Sequence, residues 1–166
     1  MRDRIQLGRC KRRAMNVEEL IVKQSIVEAL HRYCRSIDDL DLKLYGTVFV
    51  PGAHLDYNDD FHGTAEQFRD RVWAARSVQK GHTHQITNVL SEVDTVTRRG
   101  KSVAYVMVCL RKKAAGGTGS VSDIVDTGRY LDQWTQGSDG AWRIAARRYV
   151  SDVERRHEAI GVCDAD

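Results

Sequence analysis

Apolar residues recur at three- and four-residue steps from Asn16 onward, through Leu20, Ile21, Val27, Leu30, Tyr33, Cys34 and Ile37, which predicts one long amphipathic helix. Asn16 followed three residues later by Glu19 is a start signal, because a side-chain oxygen there can satisfy an orphan backbone N–H. A second, short helix is predicted over Leu40–Phe49, ending before Pro51, since the residue preceding proline is pushed out of the α region. Ala53, Leu55 and Tyr57 then alternate with polar residues as in a half-buried strand, and Thr64 after Gly63 is placed to cap a third helix running to Arg76.

Beyond this point the period changes from helical to alternating. Strands are predicted near His84–Val93, Ser102–Arg111, Ser122–Trp134 and Ala141–Val153, separated by turn signals at Arg99-Gly100, in the glycines of 116–119 and at Asp139-Gly140. Helices first and long strands afterwards predict an α+β layer with helices on one side of a sheet. One domain over residues 15–155 accounts for the pattern, with a basic extension at 1–14 and a tail at 156–166.

Charge sharpens this division. Arg2, Arg4, Arg9, Lys11, Arg12 and Arg13 against Asp3 make the extension strongly positive, while the whole chain is only +3, so the folded body is slightly acidic. A nucleic-acid surface needs a basic stripe on the folded part, so no nucleic-acid partner is expected. No apolar run is long enough for a membrane span, and no membrane partner is expected either. Cys10, Cys34, Cys109 and Cys163 form no C-x-x-C pair, which fits a reducing, cytoplasmic setting with Cys34 and Cys109 as small core residues.

Several chemical motifs are excluded. The glycines at 116–119 lack phosphate-loop spacing, and no serine stands in a nucleophile elbow. His82 and His84 would share one side of a strand, an arrangement suited to a metal, but no further ligands accompany them at a recognisable sequence spacing, so no metal is expected. What remains is polar residues scattered along the chain: Asp38 near the end of the first helix, Tyr57 on the first strand and His84 on the next.

These residues sit in a recognisable order. Tyr33-Cys34-Arg35-Ser36-Ile37-Asp38 with Asp41 resembles the signature closing the first helix of SnoaL-like proteins. The resemblance continues through Leu55-Asp56-Tyr57, Gly63 with Phe68, His84-Gln85-Ile86-Thr87-Asn88, Gly128-Arg129-Tyr130 with Trp134, and Asp139-Gly140-Ala141-Trp142-Arg143-Ile144. It implies the NTF2-like cone, also called a cystatin-like roll: a strongly curved, mostly antiparallel sheet that encloses an apolar pocket with its N-terminal helices.

Within this superfamily the positions of Asp38 and His84 look most like the dyad of the scytalone dehydratase, bile-acid 7α-dehydratase and hexachlorocyclohexane dehydrochlorinase branch. The resemblance implies elimination without a cofactor, with His84 as general base and Asp38 fixing its tautomer. Tyr57 and Tyr33 would contact substrate, and Arg129 would stabilise a leaving anion. Two features depart from the branch: no second histidine lies on Ser102–Lys112, and Tyr33 and Arg35 stand where the dehydrochlorinase has a lysine. The expectation is therefore a generic lyase for a small apolar or polycyclic compound, with a ligand-binding protein, an isomerase or a polyketide cyclase as the alternatives. A homo-oligomer, trimer or dimer, is implied. The enzymatic reading requires Asp38 within hydrogen-bonding reach of His84, both facing a cavity.

Overall fold

The computed structural model describes residues 16–75, 79–113 and 121–159. Helix α1 spans Val17–Asp38 and is capped as its sequence requires, with Asn16 Oδ1 accepting the Glu19 N–H at 2.7 Å. Its buried stripe runs through Val22, Ile26, Ala29, Leu30, Tyr33 and Ile37. Leu20 and Ile21 remain exposed although Val22 in the same turn is buried, because they lie off the face of the helix that carries the stripe.

The predicted second helix shrinks to a single turn, α2, at Leu42–Tyr45, with Asp41 Oδ1 accepting the Leu44 N–H at 2.9 Å. Phe49 instead opens strand β1, Phe49–Tyr57, which includes Pro51. A proline inside a paired strand normally leaves a ladder bond unmade. Here the register with the neighbouring strand skips from Phe49 to His54, and Gly52 at φ +71° carries the chain through the irregularity, so the missing N–H falls where no ladder bond is needed.

Strand β2, Phe61–Thr64, was not anticipated, since four residues carry too little alternation to register. Helix α3 follows at Ala65–Ala75, opened by a reciprocal capping box: Thr64 N–H donates to Gln67 Oε1 at 2.9 Å and Gln67 N–H to Thr64 Oγ1 at 3.3 Å. Four long strands complete the chain: β3 at Gln79–Asp94, β4 at Arg99–Lys113, β5 at Val121–Gln136 and β6 at Trp142–Ala159. Each is longer than its apolar segment, because solvated charged residues at the ends still complete the ladder. Thus β3 begins ahead of His84, Arg99 and Gly100 pair within β4 instead of turning, and β6 continues past residue 155 to Ala159. The 1–14 extension and the 116–119 glycines lie outside the described residues.

The sheet order is β2-β1-β6-β5-β4-β3, antiparallel except where β1 runs parallel to β6. Helices precede a curved, open, mostly antiparallel sheet, so the fold is α+β and NTF2-like. The core lies between α1 and the concave face, with Ile26, Leu30, Leu55, Trp134 and Ile144 fully enclosed. Trp134 donates its indole N–H to the buried Ser102 hydroxyl at 2.8 Å, which explains a serine in that position.

Two β-bulges decide what faces inward. Gln133 pairs with Ala146 but Trp134 with Ile144, leaving Ala145 as an extra residue that reverses the alternation of β6. Ile144 and Arg147, an odd spacing apart, are both buried as a result. A second shift at Gly128 lies beside Tyr149: a Cβ on Gly128 would meet the Val150 carbonyl oxygen at 2.4 Å and the Tyr149 ring at 2.6 Å, so only glycine lets this ring turn inward.

Candidate active site

A cavity of about 370 Å³ opens between α1, α3 and the concave face of the sheet. Its walls include Tyr33 from α1, Tyr57 from β1, His82 and His84 from β3, Tyr130 from β5 and Tyr149 from β6. Phe61, Phe68, Val72, Val108 and Ile124 add apolar surface, while Arg71, Lys112 and Arg156 accompany Asp60, Asp126 and Glu154 around the lining.

His84 and Asp38, distant in sequence, meet here. Asp38 Oδ1 lies 2.7 Å from His84 Nδ1, and Asp38 Oδ2 accepts the His84 backbone N–H at 3.0 Å. Both carboxylate oxygens are thus engaged by one residue, which fixes the imidazole relative to the helix end. The His84 side chain is 6% exposed and that of Asp38 18%. Asp38 does not itself line the cavity, contrary to the expectation that both would. It stands behind the imidazole, because an acid bonded to Nδ1 must lie on the side of the ring away from Nε2.

Tyr33 packs edge-on against His84 with ring centroids 6.0 Å apart, and its hydroxyl lies 2.8 Å from that of Tyr57. Burial drives the Tyr33 hydroxyl well above its ordinary pKa and raises that of Tyr57, so both remain protonated donors at neutral pH. Tyr57 also stacks on Phe68 at 4.4 Å, which holds its ring against the cavity wall.

Behind this hydroxyl pair lies a residue that the sequence reading missed. The Arg147 side chain is fully buried and bridges Asp132 through two bonds of 2.7 and 2.8 Å. Its guanidinium carbon sits 3.8 Å from the Tyr130 ring centroid and 4.2 Å from that of Tyr33. Burial pulls the Arg147 pKa down, but the Asp132 carboxylate more than restores it, and the side chain stays cationic. Plain alternation from the core residue Ile144 would turn Arg148 inward and Arg147 outward, and only the extra residue at Ala145 exchanges them, so the sequence carries no signal for Arg147.

Arg129 is placed elsewhere. It neighbours the cavity-lining Tyr130 on β5 and so projects from the opposite face, where it pairs with Asp152 at 2.7 and 3.0 Å. The expectation that Arg129 contacts substrate is therefore corrected by strand alternation. His82, set aside for want of partners, does lie in the site: its ring centroid is 4.7 Å from that of His84. Candidate ligand atoms of Asp38, His82 and His84 lie within 4.8 Å of one another, the third group arriving from α1 and not from the same strand.

A family model for the SnoaL-like domain matches residues 18–148. The chain belongs to the SnoaL-like family. Among solved structures, this SnoaL-like chain is similar to a candidate scytalone dehydratase from Novosphingobium aromaticivorans, with 16% identity, 92% of this chain and 100% of the other covered, and a TM-score of 0.72. It is also similar to a type 3 hexachlorocyclohexane dehydrochlorinase from Novosphingobium barchaimii, at 12% identity, 91% and 100% coverage and a TM-score of 0.73. A nuclear transport factor 2-like superfamily protein from Salmonella enterica shows 19% identity, 89% and 99% coverage and a TM-score of 0.67. No match was found among the curated proteins. No helix among the described residues is long and apolar enough to cross a membrane.

Proposed function

We propose that this SnoaL-like protein is a cofactor-independent lyase that eliminates water or halide from a small apolar or polycyclic compound. The observation carrying this reading is the bond from His84 Nδ1 to Asp38 beside a cavity that the same imidazole lines. With Nδ1–H donated to the carboxylate, Nε2 holds the lone pair and is the nitrogen left for substrate. His84 would take a proton from carbon next to an activating group, and Asp38 would stabilise the imidazolium that forms.

Electrons from the broken C–H bond move into a new C=C bond as the C–O or C–halogen bond breaks. The imidazolium then returns its proton to leaving hydroxide, releasing water, or to solvent when halide departs. The two hydroxyls of Tyr33 and Tyr57 share one hydrogen bond, so a carbonyl oxygen of the substrate can accept the remaining proton, from whichever of the two is the acceptor in that bond; burial keeps both neutral. The Arg147 cation behind these rings lowers the cost of negative charge developing on that oxygen. The two relatives named for eliminations share this fold and lend the reading their direction.

The reading includes a homo-oligomer acting in the cytoplasm. Leu90, Tyr105 and Val153 expose apolar side chains on the convex sheet face, where a second copy could cover them, and sedimentation of the purified protein tests it.

The decisive experiment screens hydroxylated and halogenated ring compounds for elimination, then compares wild type with His84→Ala, Asp38→Asn and Tyr57→Phe. Turnover lower by about 10²–10⁴-fold in His84→Ala, with ligand binding retained, supports the base assignment. Unchanged turnover in His84→Ala and Asp38→Asn rejects it. Binding without turnover by any variant, wild type included, assigns the cavity to ligand carriage. Double-bond migration or ring closure without loss of a leaving group assigns an isomerase or cyclase.

A further inference from the structure

We propose that Asp38, His82 and His84 form a binding site for a divalent transition-metal ion, of which zinc is the type, and that the bound ion switches off the base. Metal binding stands on geometry alone, whereas its inhibitory consequence rests on the lyase reading above.

The H-x-H spacing on β3 puts both imidazoles on the concave face, and their centroids converge to 4.7 Å. The carboxylate comes from the last residue of α1, held by the His84 backbone N–H through its other oxygen. Its ligand oxygen and His84 Nδ1, 2.7 Å apart, now share a proton. Two ligands bound at about 2.0–2.1 Å to one ion stand roughly 3 Å apart, so replacing that proton by a metal requires only a small opening of the pair. The His82 ligand nitrogen starts within 4.8 Å of the other two ligand atoms and must close on them.

Two nitrogens and one carboxylate oxygen suit zinc, cobalt or nickel, whereas magnesium and calcium prefer all-oxygen sites. His82 and His84 line the cavity while Asp38 stands behind them, so the cavity side is where water can complete the coordination. Its charged lining balances Arg71, Lys112 and Arg156 against Asp60, Asp126 and Glu154, so no net positive field repels a dication. Occupation takes the Nδ1 position away from its proton, breaks the His84–Asp38 hydrogen bond and leaves no correctly oriented base.

The test uses the full chain, stripped with a chelator, and Co²⁺ and Zn²⁺ as probes. Calorimetry should give one zinc equivalent with a dissociation constant in the micromolar range, and Co²⁺ should develop visible absorption bands of a low-coordinate nitrogen-oxygen site. His82→Gln and Asp38→Asn should each weaken binding at least tenfold, while His62→Gln, an exposed histidine away from the cavity, should not. Thermal unfolding without metal shows whether each variant is folded. Failure of wild type to bind either ion at millimolar concentration, or equal binding by folded His82→Gln, overturns the site. On a substrate found in the elimination screen, zinc should suppress wild-type turnover reversibly by chelation, with the half-inhibiting concentration in His82→Gln at least tenfold higher relative to its own metal-free rate. Zinc binding without inhibition overturns the switch. Absence of any turnover overturns the lyase reading and leaves the binding result standing.

Discussion

Asp132→Asn is the perturbation most directly calculable from this structure. Asp132 and Arg147 side chains are both wholly buried, and each guanidinium–carboxylate contact is 2.7–2.8 Å long. Asparagine keeps the shape and one acceptor oxygen but removes the charge, leaving a core cation with only a neutral amide and aromatic faces beside it. Breaking a buried pair by removing one partner costs about 3–5 kcal/mol, because the remaining charge keeps its desolvation penalty and loses its compensation. For a chain of this size each kcal/mol lowers the melting temperature by roughly 2–4 °C, so a fall of about 6–20 °C is expected.

Replacing both members by Asp132→Leu with Arg147→Met should cost less than the single change, since the penalty disappears with the charge. Calorimetric or circular-dichroism melting of wild type and the two variants supplies the comparison, and the double variant should bind ligand more weakly because Tyr33 loses the surface against which it packs. A melting temperature for Asp132→Asn within 2 °C of wild type would mean that the Arg147 charge is not held by this pair, and the account of a core cation behind the tyrosines would be refuted.

Burial pushes the Cys34 thiol up to about 12, so native protein at mildly alkaline pH should leave it unmodified by a thiol reagent that labels it fully after unfolding; rapid native labelling contradicts the assigned packing. Tyr33, Tyr57 and Tyr130 are held above their unfolded value of about 10 by burial, so the unfolded chain sheds protons that the folded chain keeps. Stability should therefore be fully present below pH 10 and decline above it, with phenolate absorbance appearing together with unfolding; early phenolate absorbance from these three would refute their burial. Gly128→Ala should destabilise by about 1–3 kcal/mol in denaturant melts and turn Tyr149 out of the cavity, since the added methyl meets a backbone carbonyl that cannot yield. A neutral Gly128→Ala would mean that the bulge has room to spare.

The helix start at Asn16, the capping box at Thr64 and the change from helical to alternating period are local properties, and the chain states them within a few residues of where they act. So does the family order of motifs, from Tyr33 through Asp38 and His84 to Trp142, which put the acid and the imidazole forward as a candidate pair. Tertiary structure decided what two residues sharing one sequence pattern would become. Arg129 resembled a ligand contact and is a convex-face ion pair, whereas Arg147, which no motif singled out, is a core cation. Plain alternation from Tyr130 puts Arg129 on the convex face, whereas on β6 one extra residue at Ala145 reverses the facing of every residue after it until the next bulge and turns Arg147 inward. His82 gained its third neighbour from a helix 44 residues away in the chain, because packing of α1 on β3 brings Asp38 to the strand. Spacing along a sequence reports only contacts within one element. Which elements share a wall depends on the sheet order and its bulges, and those follow from the packing of the whole chain.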